Sequence, residues 1–191
     1  CCIEDVGALR SIPNIDIIVP SDSLETIKAI NAMVESKNST YVRLTGISNN
    51  TIINKENYNF EIGKSILLRD GKDVAIFSNG AVLGECLKAA EELEKKKISC
   101  RVINMHTVKP IDSKAVIETK NFKLIVTVEE HNVIGGLGSA ISECLSKEPN
   151  TPRQVFIGAN DYYEKGGSYK YLLDRYGLSS EKIVENILST L

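Results

Sequence analysis

Ten residues in the second half of the chain combine an acid pair, a histidine and three glycines, a set that could do chemistry. The segment Glu129–Gly138 reads Glu-Glu-His-Asn-Val-Ile-Gly-Gly-Leu-Gly and follows an apolar run that predicts a buried strand. His131 could act as an acid or base near neutral pH, and adjacent glycines let the backbone turn tightly. The helix predicted to follow would offer free N–H groups to an anion.

The glycine spacing of this loop matches neither the dinucleotide-binding fingerprint nor the phosphate-binding P-loop. We therefore favour a structural loop that packs against another subunit, and we keep an anion site as the alternative. In both interpretations the candidate site residues of the loop are the same four, His131, Gly135, Gly136 and Gly138.

Few other side chains are candidates for a site. Arg43 projects from a predicted strand and could pair with a phosphate or with a carboxylate. His106 follows another predicted strand, and we expect it at the surface or as a helix cap. The two histidines are far apart in sequence and no cysteines cluster near either, so no metal site is predicted.

The composition and net charge argue against several classes of protein. The 191 residues are 42% hydrophobic and 25% charged, as in ordinary globular proteins, and the net charge of -2 argues against a nucleic-acid partner. The five cysteines form no C-x-x-C pair, which is typical of reduced thiols in a cytoplasmic protein. No apolar run reaches the roughly 20 residues of a membrane span and no signal peptide is recognisable, so we predict no membrane partner and a cytoplasmic location.

The pattern of apolar residues predicts two folded units joined by a linker. In residues 1–45, a β-branched run at 15–19, a helix opened by Ser21 or Asp22 and a strand at 41–44 form a parallel crossover. Residues 46–63 are polar and rich in asparagine, which is typical of a linker, and their scattered apolar side chains predict that it lies against the surface.

Residues 64–191 alternate strands with helices over a length sufficient for a separate core. Strands are predicted at 65–68, 74–78, 100–104, 124–128 and 155–157, and the Asp70-Gly71 step predicts a hairpin between the first two. The fold class is therefore α/β, with a mostly parallel sheet, helices on both faces and one antiparallel edge strand.

An ordered set of segments resembles the transketolase family, which uses thiamine diphosphate. The segments are Ile3–Asn14, Val19–Asp22, Asp73–Ser78, Gly80-Ala81, Val102–Met105, Val108–Asp112, Val126–His131 and Gly135–Ser139. Each one alone would be weak, but their order along nearly the whole chain is specific. The form Glu-Glu-His-Asn is most similar to stand-alone C-terminal transketolase subunits.

The resemblance implies that residues 1–45 are the end of a pyrimidine-binding domain, 46–63 a linker, and 64–191 a transketolase C-terminal domain. It places Cys1, Glu4 and Arg43 at the edge of the substrate site. The family's catalytic groups would lie upstream of Cys1, so no catalytic residue is assigned. Gly46 stands where relatives often have an arginine that holds a sugar phosphate, which weakens the case for an ordinary phosphorylated acceptor.

The activity that the resemblance implies is two-carbon ketol transfer between sugar phosphates. Thiamine diphosphate and Mg²⁺ would serve the complete enzyme, and we expect neither to bind this chain alone. The expected partners are an N-terminal transketolase subunit or domain and a second copy in a homodimer. We expect the chain to support dimerisation and the active site and to be inactive alone.

Two alternatives stay open. The chain could be part of another member of the superfamily, such as a deoxyxylulose-phosphate synthase or the β subunit of a 2-oxo acid dehydrogenase. It could also be a non-catalytic module that binds an anion at the glycine loop.

Overall fold

The computed structural model describes residues 2–46, 52–53 and 58–191, which form two sheets and the helices that cover them. The strands are β1 (Ile15–Ile18), β2 (Ser39–Val42), β3 (Ile66–Arg69), β4 (Val74–Ser78), β5 (Cys100–Asn104), β6 (Thr107–Lys109), β7 (Leu124–Asn132) and β8 (Arg153–Ala159). The helices are α1 (Asp5–Arg10), α2 (Ser23–Glu35), α3 (Leu83–Lys95), α4 (Ser113–Ile117), α5 (Leu137–Leu145), α6 (Tyr169–Arg175) and α7 (Ser180–Thr190).

The smaller sheet has the order β2-β1-β6. β1 and β2 are parallel with α2 between them, as the crossover pattern predicts. Asp22 caps α2, because its Oδ1 accepts the N–H of Glu25 at 2.8 Å. β6 was not predicted as a strand; it pairs antiparallel with β1, so residues from the second half of the chain complete the first sheet.

The larger sheet has the order β3-β5-β4-β7-β8, in which only β3 is antiparallel to its neighbour. The apolar side chains of α3 and α7 pack on one face, and those of α4 and α5 pack on the other. The predicted fold class, a mostly parallel sheet with helices on both faces and one antiparallel edge strand, is therefore confirmed.

The predicted hairpin at Asp70-Gly71 is wrong. β5 lies between β3 and β4, so the connection from β3 to β4 crosses over the start of β5 instead of turning back in the sheet. A Cβ on Gly71 would lie 2.3 Å from the carbonyl carbon of Cys100 and 2.5 Å from the nitrogen of Arg101. Glycine is needed there because two backbones cross in contact.

An apolar cluster joins the two sheets. Val6 of α1 and Ile17 of β1 pack with Val108 of β6 and Ala140 of α5. Of the predicted linker, Ile53 packs against the core of the larger sheet and Tyr58 and Phe60 are half-buried, while residues 47–51 and 54–57 lie outside the described residues. The exact domain boundaries stay a prediction.

We expect Gly71→Ala to lower the free energy of unfolding by about 3 kcal/mol, because the new methyl group overlaps the β5 backbone, which cannot move aside without breaking sheet pairing. Urea denaturation followed by circular dichroism measures the change. The control is Gly84→Ala on α3, where the nearest atom to a Cβ is 3.9 Å away and helix propensity should raise stability by up to about 1 kcal/mol. Equal effects of the two changes would contradict the crossing.

Candidate functional site

The end of β7 carries three consecutive polar side chains, Glu129, Glu130 and His131, that project alternately from the two faces of the strand. β7 is the central strand of the site because it lies between β4 and β8, and its carboxyl end faces α1. All three side chains are largely desolvated, so each needs a hydrogen-bonding partner inside the protein.

Glu129 binds the first turn of α5. Its carboxylate accepts the N–H of Leu137 at 2.6 Å and the N–H of Gly138 at 2.9 Å. Burial raises the pKa of Glu129, and these two N–H groups oppose that shift. A Cβ on Gly136 would lie 2.0 Å from Glu129 Oε2, so glycine lets the loop close on the carboxylate.

Glu130 lies on the opposite face of the strand, with its carboxylate near the backbone of Ala81 and Val82 in the turn that precedes α3. Burial again raises its pKa, opposed by nearby Tyr169, the charge of Arg43 and that backbone. The N-terminal end of α5 is therefore bonded to a carboxylate of this chain, and a second carboxylate lies beside the start of α3.

His131 binds the first turn of α1. Its Nε2 accepts the N–H of Gly7 at 3.1 Å, while Nδ1 lies 2.6 Å from the carbonyl oxygen of Asn132. Both contacts are satisfied by a neutral imidazole that carries its proton on Nδ1. Both ring nitrogens are occupied, so the described geometry gives His131 a structural task and leaves its predicted acid–base role without support.

The glycine loop is a contact surface within the chain. A Cβ on Gly135 would lie 3.1 Å from the Cα of Gly7, and Arg10 Nη1 donates to the carbonyl oxygen of Gly135 at 2.8 Å. An external anion at the start of α5 would have to displace Glu129, which speaks against the anion alternative. Packing of the loop against another subunit stays a prediction.

Arg43 is paired inside the chain. Its Nε lies 2.9 Å from Asp5 Oδ2, and its Nη2 donates to the carbonyl oxygens of Cys2 at 2.9 Å and Glu130 at 3.0 Å. Burial alone would raise the pKa of Asp5, but the hydroxyl of Tyr41 and the charge of Arg43 outweigh it, so the pKa lies below its usual value. Of its two predicted partners, a phosphate or a carboxylate, Arg43 has the carboxylate.

A cavity of about 510 Å³ opens beside this ion pair. Arg43 and Gly46 lie on its wall from the first unit, and Tyr169 and Tyr176 lie on its wall from the second. A side chain at position 46 would have open space as far as the described residues extend, because none of their atoms lies within 4 Å of a Cβ built there.

The remaining predicted edge residues lie nearby or outside the described part. Glu4 is exposed, accepts the N–H of Ile3 at 2.7 Å and the hydroxyl of Tyr163 at 2.9 Å, and these bonds lower its pKa. Cys1 lies outside the described residues. Their role at a substrate edge stays a prediction.

His106 was predicted at the surface or as a helix cap, and this is wrong. The side chain is fully buried and its ring stacks on Phe60 with 4.1 Å between the ring centroids. Nδ1 lies 2.9 Å from Thr107 Oγ1, while Nε2 has no partner among the described residues. Burial lowers the pKa of His106 to about 4, so the ring is neutral at physiological pH.

The described ranges contain neither a metal-ligand cluster nor a helix suited to span a membrane. No cluster of three or more His, Cys, Asp or Glu side chains has the geometry of a metal site. No helix among these residues combines the length and apolarity needed to cross a bilayer.

The family model of the transketolase C-terminal domain matches residues 63–183. The chain belongs to the transketolase C-terminal domain family. Its carboxyl-edge cluster of Glu129, Glu130 and His131 therefore lies within the part of the chain that defines the family.

Individual relatives extend the match over almost the whole chain. It is 38% identical to the 6-deoxy-6-sulfo-D-fructose transketolase subunit SqwH of Clostridium sp. (strain MSTE9), over 95% of this chain and 56% of that protein. It is 31% identical to an apulose-4-phosphate transketolase subunit of Phocaeicola vulgatus, over 97% of this chain and 59% of that protein. This chain thus spans less than two thirds of the length of these curated relatives.

A solved structure shows the same arrangement of both sheets. A split-gene transketolase, an inactive tetramer of four beta chains, superposes with a TM-score of 0.89 at 34% identity. The match covers 98% of this chain and 60% of that chain. Residues that precede the matched range 63–183 therefore also share the transketolase arrangement.

The hydrogen bond from α1 to His131 can be tested by comparing substitutions of the two buried histidines, His131 and His106. We expect His131→Leu to lower the free energy of unfolding by about 2–3 kcal/mol, because the N–H of Gly7 and the carbonyl of Asn132 both lose their partner. His106→Leu should cost at least about 1 kcal/mol less, because its Nε2 has no partner among the described residues to leave unpaired. Urea denaturation of the two variants and the wild type at about pH 7.5 measures both changes. Equal losses would contradict the role assigned to His131.

Proposed function

We propose that the chain is the C-terminal part of a thiamine-diphosphate-dependent transketolase, which transfers a two-carbon ketol unit between sugar phosphates. The chain supports assembly and the active site and is inactive alone. The similarity to a split-gene transketolase beta chain over 98% of this chain carries the proposal. Transketolase subunits that act on a sulfo sugar and on a sugar phosphate support an anionic sugar as substrate.

Thiamine diphosphate and Mg²⁺ do not fit the described residues. Helix N-termini are the usual site of a diphosphate, but that of α5 already binds Glu129 and that of α3 lies beside the carboxylate of Glu130. A second pair of negative charges beside buried carboxylates would be repelled. We therefore assign the diphosphate and its metal ion to an N-terminal transketolase subunit or domain.

One surface of the first unit is suited to the upstream part that relatives possess. β2 is the edge strand of the small sheet, and parallel strands are normally covered on both sides. On α2, three apolar side chains at helical spacing face solvent, with exposed fractions of 60% for Ile27, 41% for Ile30 and 78% for Val34. We call these three residues the α2 stripe, and we propose that the rest of the pyrimidine-binding domain packs on it.

The cavity beside Arg43 is the proposed substrate edge. Its single arginine is already paired with Asp5, and Gly46 contributes no charge, so this chain supplies no unpaired cation from the described wall. Cationic groups that bind the phosphate of a sugar phosphate would then come from the complementary subunit. A homodimer and a cytoplasmic location remain part of the proposal.

A chimera tests the activity. This chain should replace the matching region of the Clostridium subunit, which it resembles at 38% identity. With an N-terminal transketolase subunit, thiamine diphosphate, Mg²⁺, 6-deoxy-6-sulfo-D-fructose as donor and an aldose phosphate as acceptor, we expect the chimera to release the shortened aldose and to form the extended ketose. The isolated chain should form neither product under the same conditions. Transfer by the isolated chain would contradict its dependence on missing parts. A folded, assembled chimera without transfer would contradict the proposed activity.

The α2 stripe can be tested by measuring one change in two contexts. Val34→Glu should alter the stability of the isolated chain by less than about 0.5 kcal/mol, because the side chain is exposed, but should destabilise the chimera by about 2 kcal/mol by burying a charge. Leu188→Glu on α7, also an exposed apolar position, should behave alike in both contexts. Thermal unfolding of the four variants and their two parent proteins gives the comparison, and equal effects of Val34→Glu in both contexts would exclude a covered stripe.

A further inference from the structure

A buried polar cluster at the junction of the two sheets is not used by the proposed function. Its centre is Glu25 in the first turn of α2, whose side chain is fully buried. Glu25 Oε2 accepts the N–H of Ser21 at 2.7 Å and the Ser21 hydroxyl at 2.8 Å. Glu25 Oε1 accepts from Asn104 Nδ2 at 2.8 Å and lies 3.4 Å from the Tyr58 hydroxyl. One carboxyl group therefore connects α2, the end of β5 and the segment between the two units.

The same segment is attached at further points. Lys28 Nζ donates to the carbonyl oxygen of Tyr58 at 2.6 Å and lies 4.4 Å from the centre of its ring. The N–H of Ile53 donates to Asp22 Oδ2 at 2.8 Å. Phe60 stacks on His106, which follows β5. We call these contacts of Ile53, Tyr58 and Phe60 with α2 and the end of β5 the clasp.

The surroundings of Glu25 favour its neutral form. Among the described residues, the charged and titratable groups near it are Asp22 at the start of α2, Lys28 one turn along and Tyr58, while β5 faces it with the uncharged Asn104. Burial raises the pKa of Glu25 to about 7, and the negative charge of Asp22 adds to the shift. The hydrogen bonds from Ser21 and Asn104 act in the opposite direction without cancelling it.

Asn104 can form a hydrogen bond with either the ionised or the neutral carboxyl group of Glu25. In the described geometry its Nδ2 donates to the carboxyl group, and its Oδ1 has no partner among the described residues. A half-turn of the amide would present Oδ1 at the same place, where it could accept the proton of a neutral carboxyl group. The junction thus has a partner for a proton on Glu25 built into β5.

We propose that Glu25 is the proton-binding group of a pH-sensitive clasp, in which uptake of a proton tightens the contact of the linker with α2 and β5. Loss of the proton leaves a buried carboxylate, and opening the clasp relieves that burial by admitting water. The proposal concerns the coupling of the two units and is independent of the proposed ketol transfer.

The direction and size of the effect follow from linkage. The closed clasp binds the proton with a pKa of about 7, and an open clasp binds it with the ordinary value of 4.5. The closing equilibrium therefore weakens as pH rises from 4.5 to about 7 and is constant above that range. Between about pH 5.5 and pH 8 the expected weakening is about 30-fold.

Hydrogen exchange in the whole chain tests the proposal. The N–H of Ile53 reports on the clasp, because it donates to Asp22 across it. After correction for intrinsic exchange, its protection in the wild type should fall by roughly 30-fold from about pH 5.5 to pH 8. In Glu25→Gln it should be independent of pH, and in the control Glu35→Gln, an exposed position on the same helix, it should follow the wild type.

A second measurement keeps the test decisive if Glu25→Gln does not fold. The ¹³C shift of the Glu25 carboxyl carbon in the wild type should titrate with a pKa of about 7, together with the change in protection. A midpoint near the ordinary value of 4.5 would overturn the proposal. So would protection that does not change with pH in the wild type, or that changes equally in Glu25→Gln.

Discussion

Neighbouring side chains at the end of β7 meet the starts of three different helices. Glu129 accepts hydrogen bonds from the first turn of α5 and His131 accepts one from the first turn of α1, while Glu130 lies beside the turn before α3. The first N–H groups of a helix have no partner within the helix, so each contact satisfies a need that burial would otherwise make costly. Because α1 belongs to the first unit and the other two helices to the second, one short stretch of strand fixes their relative position.

This arrangement also decides what the sheet edge can bind. The carboxyl ends of parallel strands are the usual ligand site of α/β folds, and helix N-termini there commonly hold phosphate. Here Glu129 occupies the start of α5, Glu130 lies beside the start of α3, and His131 accepts an N–H of α1. The polar groups at the carboxyl edge of the larger sheet are therefore used in contacts within the chain, including the contact between the two units. That is consistent with a part whose chemistry is completed by other parts of a transketolase, and it explains why an acid pair beside glycines need not mean catalysis.

The sequence predicts the fold class well because periodicity is a local signal. Apolar runs mark β4, β5 and β7, and Asp22 marks the start of α2 through its side chain alone. Pairing is not local, which is why the Asp70-Gly71 step suggested a hairpin although β5 lies between its two strands. β6 escaped prediction because its three residues become a strand only through their partner β1. β7 continues to Asn132, beyond the predicted end, because Asn132 pairs with Ala159 of β8 and His131 binds α1, which is distant in sequence.

The site was harder to predict than the fold because the sequence shows which residues are polar and not what they contact. His131 and Arg43 look like chemical groups in the sequence, yet both are bonded inside the chain. No sequence pattern marks Glu25 or His106 as buried, yet burial shifts the pKa of Glu25 to about 7 and that of His106 to about 4. Their effects on stability have opposite signs: burial of Glu25 makes the fold less stable as pH rises from 4.5 to about 7, while burial of His106 makes it less stable as pH falls from 6.5 to about 4. The two effects therefore oppose each other where their pH ranges overlap, between 4.5 and 6.5. Because the free energy of unfolding sums all titrating groups, only local measurements at the junction can assign an effect to Glu25 or to His106.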